Sequence, residues 1–455
     1  MARPKKSTAK SKADPFAALP PLNLNAAGID VGNAAHCVAV PPDRDPQPVR
    51  TFGSFTTDLQ RMAQWLKDCG IETVVMESTG VYWIPLYDIL ETSGFTVFLT
   101  NARYVKSLPG RKTDVLDCQW LQKLHTFGLL NNSFRPPDQI RVLRSYLRQR
   151  ETLVAEAGTC IQRMQKALTE MNVQLANVIS DISGVTGLAI IRAIIRGERK
   201  PEELLKLKDP RIQATDEQIV ESLKGTWRPE QLFVLRQSLE LYDVYQEKIG
   251  DCDSCIRALL QTFDSQVDPN AKPLPKPKRG KKPHGNAPNF DLRTELYRIS
   301  GTDLTRIDGI DVVTAQVLIS EIGLNMNPWP TEKRFASWLG LCPDNRISGG
   351  KILKRSTRHV VNRATTALRM AASTLVRSKS ALGSNYRRFQ ARFGPAKAIT
   401  AMAHKLARLV YRMLRYGSQY VDKGMQHYET KYRQQRISWL IKQCAEFKMK
   451  LVPIT

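Results

Sequence analysis

Between positions 345 and 421 the chain has no Asp or Glu, while the same stretch holds 17 Lys or Arg. A solvated helix face normally interleaves both signs, so this absence argues against an ordinary surface and for a polyanionic partner. Long apolar runs are also missing. None approaches the ~20 residues that a membrane-spanning helix needs, so no membrane partner is expected. The start, Ala2-Arg3-Pro4-Lys5-Lys6, leads into Ser, Lys and Pro rather than an apolar signal core, and residues 1–25 read as a disordered basic leader. The eight cysteines lack the dense spacing of a secreted disulfide framework, which fits a reducing cytoplasm. Cys252 and Cys255 form a Cys-x-x-Cys without a second pair to complete a zinc site. Their spacing follows the surrounding apolar repeat, which places both in a helix core.

What is present divides into segments, because 455 residues exceed one core of ordinary size. Residues 26–40 read as two strands around Gly32-Asn33, and 49–55 as a third. A helix follows that Thr57 or Asp58 would cap and that buries Leu59, Met62, Ala63 and Leu66. Then come a strand at Thr73–Met76, a helix at Tyr82–Thr92, a strand at Phe95–Leu99 and a helix at Asp114–Phe127. This is the order of elements in a ribonuclease-H-like (RuvC-like) domain, here 26–136, although periodicity alone supports only α/β.

The fold class expected is therefore α/β plus α. Segment 137–265 is expected to be helical. An apolar three-four repeat runs from Ile140 to Val178, broken only at Arg150, and a second runs through Tyr242, Tyr245, Ile249, Cys252, Ile256, Leu259 and Phe263. These are coiled-coil seams that could pack within one chain or between chains, and the first would reach about 60 Å. Residues 266–290, rich in Pro and Lys, read as a linker. Segment 291–425 reads as a second, mainly helical domain and 426–455 as a terminal helix. Within 291–425, Leu304–Ile310 leading into Val312–Ile322 resembles a helix-hairpin-helix whose Gly309 turn offers N–H groups to a phosphate.

Four carboxylates carry the chemistry. Asp30 lies in the first strand and Glu77 ends the fourth, where adjacent strands bring them together; Asp114 and Asp117 share one helix face. Four converging acids repel one another unless divalent cations intervene. With only hard oxygen donors and no His, Mg2+ is the natural occupant, and two ions ~4 Å apart would serve a phosphodiester displacement. Lys106, Arg111 and Lys112 crowd the loop before Asp114, as suits a phosphate backbone. Far downstream, Ser348 lies between Arg346 and two glycines, with Lys351, Lys354 and Arg355 following. Serine is a weak nucleophile without a base, metal or preorganised field, and on spacing alone Ser-Gly-Gly is an ordinary turn. Arg387, Arg388, Lys405 and Arg408, among the aromatics of Tyr386-Arg387-Arg388-Phe389 and the Ala401–Arg415 helix, read as a nucleic-acid surface, with Phe393 and Leu409 in the core.

These residues resemble the DEDD transposases of the insertion-sequence 110 family, in its 1111 branch. The blocks are Ala27-Gly28-Ile29-Asp30-Val31, Met76-Glu77-Ser78-Thr79-Gly80-Val81-Tyr82 and Gly110-Arg111-Lys112-Thr113-Asp114-Val115-Leu116-Asp117. Downstream stand Phe335–Pro343 and Ser348-Gly349-Gly350-Lys351. The resemblance implies that the four acids bind Mg2+ and that Ser348 forms a transient phosphoserine link to DNA. It further implies that an element-encoded guide (bridge) RNA pairs with donor and target double-stranded DNA. Homo-oligomers, dimer or tetramer, would let one subunit's carboxylates meet another's serine, in a bacterial cytoplasm at the nucleoid. Cys118 departs from the small Ala usual after the second Asp. Two other readings remain at this point: a RuvC-like metal-dependent nuclease in which Ser348 is structural, and a non-catalytic nucleic-acid-binding protein.

Overall fold

The computed structural model describes residues 19–101, 114–277, 286–354, 356–358, 360–417, 424–450 and 452. The chain separates into two compact units, Met1–Arg135 and Pro136–Thr455. Among the described residues no helix is long and apolar enough to cross a membrane.

The first unit is a mixed α/β sheet. Strands β1 (Ala26–Val31), β2 (Ala35–Ala39) and β3 (Val49–Gly53) form an antiparallel meander, followed by α1 (Thr56–Asp68), β4 (Thr73–Glu77), α2 (Trp83–Thr92) and β5 (Thr96–Thr100). The sheet order is β3-β2-β1-β4-β5, with β4 parallel to both β1 and β5. Parallel neighbours need crossovers, which α1 and α2 supply. One sheet face, with Ile29, Val31, Val38, Val74 and Met76, is covered by buried Leu59, Met62, Leu66, Leu86 and Leu90 of α1 and α2. The other face lies under α3 (Asp114–Thr126), whose Leu121 and Leu124 pack on Val75. The expected cap of α1 is not formed: Phe55 holds the N-cap position without a side-chain bond. Asp58 instead sits in the first turn, paired with Arg61, where a carboxylate still favours the helix dipole.

The second unit is mostly helical. Its longest members are α4 (Asp138–Glu170), followed by the short α5 (Val185–Ile195), α6 (Pro201–Leu205) and α7 (Asp216–Ser222), and then α8 (Pro229–Gln261). The two 33-residue helices pack on each other within this chain, sharing Ala157, Cys160, Met164, Leu168, Leu235, Leu239 and Tyr242 in one core. They run antiparallel, since Arg150 bonds Asp253 while Thr226 N–H reaches Met171 O at 2.7 Å.

The break in the first repeat has a physical reason. Arg150 and Asp253 are both buried and joined by Nε–Oδ1 at 2.6 Å and Nη2–Oδ2 at 3.4 Å. The repeat also outruns its helix: α4 stops at Glu170, giving about 50 Å rather than about 60 Å. Asn172, at φ 56°, is left-handed, with Asn172 N–H on Thr169 O (2.9 Å) and Val173 N–H on Leu168 O (2.8 Å). That pair of bonds is the Schellman closure, and the apolar spacing through Met171, Leu175 and Val178 outlasts the α-helix, with only a 3-10 turn at Leu175–Asn177. In α8, Cys255 is exposed and Cys252 half-buried, so the core reading of this pair fails; Asp253, Ile256 and Leu260 face inward instead.

Further along stand α9 (Leu292–Ser300), α10 (Val312–Ile322), α11 (Glu332–Trp338), the hairpin β6 (Arg346–Ser348) and β7 (Lys351–Lys354), α12 (Arg363–Thr374), α13 (Ala381–Phe393), α14 (Pro395–Tyr416) and α15 (Gly424–Glu446). Residues 266–277, read as linker, are held against α9: Gln266 N–H donates to Arg298 O (2.8 Å) and Tyr297 OH to Lys272 O (3.2 Å). Leu304–Arg306, between α9 and α10, is a single 3-10 turn. Leu409 is half-buried, but Phe393, expected in the core, is 44% exposed.

Candidate active site

β1 and β4 pair in register with Ile29 opposite Met76, so Asp30 and Glu77, one residue further on, are lateral neighbours at the strand ends. Both lie on the face under α3. Glu77 shares its side with Val75, and Asp30 shares its side with Gly28, where an added Cβ would stand 2.3 Å from Gln122 N and 2.4 Å from Cys118 O. The helix thus rests on bare β1 backbone. That close approach brings the first turns of α3, with Asp114 and Asp117, over the strand that carries Asp30. Asp30, Glu77 and Asp117 are all half-buried, whereas the Asp114 side chain lies outside the described residues.

Cys37, opposite Asp30 on β2, meets Cys118 of α3 with sulfurs 3.3 Å apart. Burial first, then the bond to Cys37, pushes the Cys118 thiol well up, and its sulfur is taken up by the contact with Cys37. The donors on this face are therefore hard carboxylate oxygens, the set a divalent cation of the Mg2+ type prefers. Among the described residues no three His, Cys, Asp or Glu side chains stand close enough to hold a metal ion. The contribution of Asp114 falls outside them.

Ser348 ends β6, pairs with Lys351, and is exposed. Gly349 (φ 54°) and Gly350 (φ 74°) are both left-handed, the requirement of a tight type I′ turn, so this is a defined hairpin tip rather than a loose loop. The glycines answer to backbone angle alone, because nothing stands within 4 Å of an added Cβ at either. The base is anchored: Pro343 bridges Thr357, Asp344 N–H donates to Ser356 O (2.6 Å), and Arg358 donates to Ser337 Oγ (2.9 Å). Beneath lies an aromatic core of Trp329, Phe335 and Tyr411, with Tyr411 OH on Trp329 O at 2.7 Å.

A family model described as Transposase, of the IS110 DEDD type, matches residues 27–173, and a second, Transposase IS116/IS110/IS902 family, matches residues 301–387. The chain belongs to the IS110 family of DEDD transposases. It is accordingly a DNA transposase or recombinase, and its mixed-sheet first unit is consistent with a RuvC-like fold. No curated protein matches the chain.

The basic residues of this transposase separate into distinct groups. Lys351 is exposed beside Ser348. Arg387 donates to Ser378 O (2.7 Å) and Val376 O (3.2 Å), tying α13 to the preceding turn. Arg388 lies 3.6 Å over the Tyr432 ring. Lys405 approaches the Tyr428 ring, and burial, then Arg408, lowers its pKa. Arg408 and Arg412 share Glu332, a partner the sequence did not suggest, and hold its carboxyl below the usual range. Gly309 (φ 92°) is required by packing, since a Cβ there would meet Ala371 O at 2.6 Å; that accounts for it without a phosphate. Lys106, Arg111, Lys112 and Arg355 lie outside the described residues, as do the side chains of Arg346 and Lys354.

Proposed function

We propose that this transposase cuts and rejoins DNA through a phosphoserine formed by Ser348, with Mg2+ held by Asp30, Glu77, Asp114 and Asp117 and with an RNA guide choosing the sites. The observation that carries the reading is the lateral pairing of Asp30 and Glu77 beneath the helix that bears Asp117. Acids held side by side, as Asp30 and Glu77 are, repel one another, and a divalent cation between them removes that cost. When bound, Mg2+ would lower the barrier to losing a proton at the attacking oxygen and stabilise the departing one. The chain's own contribution is positional. The I′ turn presents the Ser348 hydroxyl at an exposed tip, and Lys351 beside it attracts the phosphate. Ser348 Oγ bonds to phosphorus as the bond to the departing strand oxygen breaks, and the reverse step with a second strand completes exchange between copies of the chain.

The test uses full-length protein, Mg2+, labelled DNA of the element's ends and RNA transcribed from the flanking DNA. A protein-DNA adduct is expected that vanishes in Ser348→Ala. Asp117→Asn should abolish cutting while nucleic-acid binding stays within about threefold, because only the ion site is altered. Cleavage that survives Ser348→Ala would instead make the protein a metal-dependent nuclease, and full activity of Asp117→Asn would remove the ligand assignment.

A further inference from the structure

The Ser348 hairpin has aliphatic side chains where a two-stranded ribbon should be polar. Ile347 and Ile352 pair across the strands and are 62% and 43% exposed, and Leu353 is 71% exposed. Strand alternation puts the Ile347–Ile352 pair on the face opposite Ser348 and Lys351, and Leu353 is the extra residue of a bulge between Ile352 and Lys354. The ribbon therefore shows exposed apolar surface beside the nucleophile, at the Ile347–Ile352 pair and at the bulged Leu353. Isolated two-stranded ribbons are marginal, yet this one is fixed by an I′ turn and an anchored base, which makes it a stiff projection.

Charge decides what these aliphatics meet. Lys351 lies within the acid-free stretch 345–421, so the surroundings favour DNA over another protein surface, which would bring carboxylates and apolar groups together. We infer that Ile347, Ile352 and Leu353 form an aliphatic wedge that enters the DNA beside the scissile phosphate and unstacks the adjacent base step. Aliphatic side chains inserted between base pairs unstack and kink a duplex. A wedge in the nucleophile's own hairpin would open the strand at the position where Ser348 attacks. The inference rests on the reading of Ser348 given above and assigns three further positioning residues to it.

The triple variant Ile347→Thr/Ile352→Thr/Leu353→Thr keeps strand propensity and removes only exposed apolar surface. Full-length protein, its RNA and Mg2+ are tested on two DNA substrates of the element's end: one fully paired, one mispaired at the two base pairs flanking the cleavage position. On paired DNA the variant's adduct is expected to fall about tenfold or more, and on mispaired DNA to recover to within about twofold of wild type, because the unstacking is already done. An unchanged yield on paired DNA overturns the wedge and leaves the Ser348 reading standing. An equal loss on both substrates also overturns it, assigning the side chains to the hairpin's own structure or to a protein contact. No adduct from wild type on either substrate overturns both readings.

Discussion

Gly28 sets how near a helix can come to a strand. Because a Cβ there would stand only 2.3 Å from Gln122 N, its absence lets α3 carry Asp117 over the strand bearing Asp30. Asp30 and Glu77 were legible in the sequence, since parallel strands with acids at matching ends must place them side by side. The Cys37–Cys118 contact was not: nothing in residues 81 positions apart announces that two buried thiols will touch. His125 was equally silent. It is 1% exposed, bonded to Thr73 Oγ1 at 2.9 Å and packed against Phe98 with the rings tilted, and burial lowers its pKa to about 4. Its folded pKa lies below the ordinary 6.5, so the unfolded chain takes up the proton first. The first unit should therefore lose stability as pH falls from about 6.5 to about 4, by on the order of 3 kcal/mol from this group. Urea midpoints measured across that range in wild type and in His125→Gln check it. The variant's curve should be flatter, and parallel curves would remove His125 as the cause.

At the scale of elements, the strands and helices of the first unit follow their apolar periods closely. The errors cluster where a side-chain period continues through a change of backbone. Met171, Leu175 and Val178 extend the spacing of α4, but Asn172 turns the chain, and an apolar repeat carries no signal for a left-handed residue. The reverse holds at Arg150, which looked like a flaw in the repeat and is matched by an acid 103 residues away. A buried pair is most costly when half of it is removed. Arg150→Met alone should destabilise the second unit by about 3–5 kcal/mol, whereas Arg150→Met with Asp253→Leu should recover most of that loss. Denaturant unfolding of the three proteins measures the difference. A double variant no better than the single would show that Asp253 has other essential contacts, such as the bond it accepts from Asn289 N–H at 3.3 Å.

For the molecule as a whole, the net charge of +25 and the acid-free stretch argue for binding driven largely by counterion release. Affinity for a non-specific duplex, followed by fluorescence anisotropy, should fall about a thousandfold between 50 and 200 mM salt if six or more phosphates are contacted. A shallow slope would mean that ion pairs such as Glu332 with Arg408 and Arg412 have already neutralised most of the cations. Composition made the kind of partner legible, but not which cations are free, because that depends on where distant acids fall. The joined charges of α4 and α8 have one more effect. A seam of repeated aliphatics can zip in several nearly equivalent alignments, each a heptad apart. Sliding either helix by seven residues would strand a guanidinium and a carboxylate against hydrocarbon. The long helical hairpin is thus keyed to a single alignment, and the backbone at Asn289 is tied to the same key.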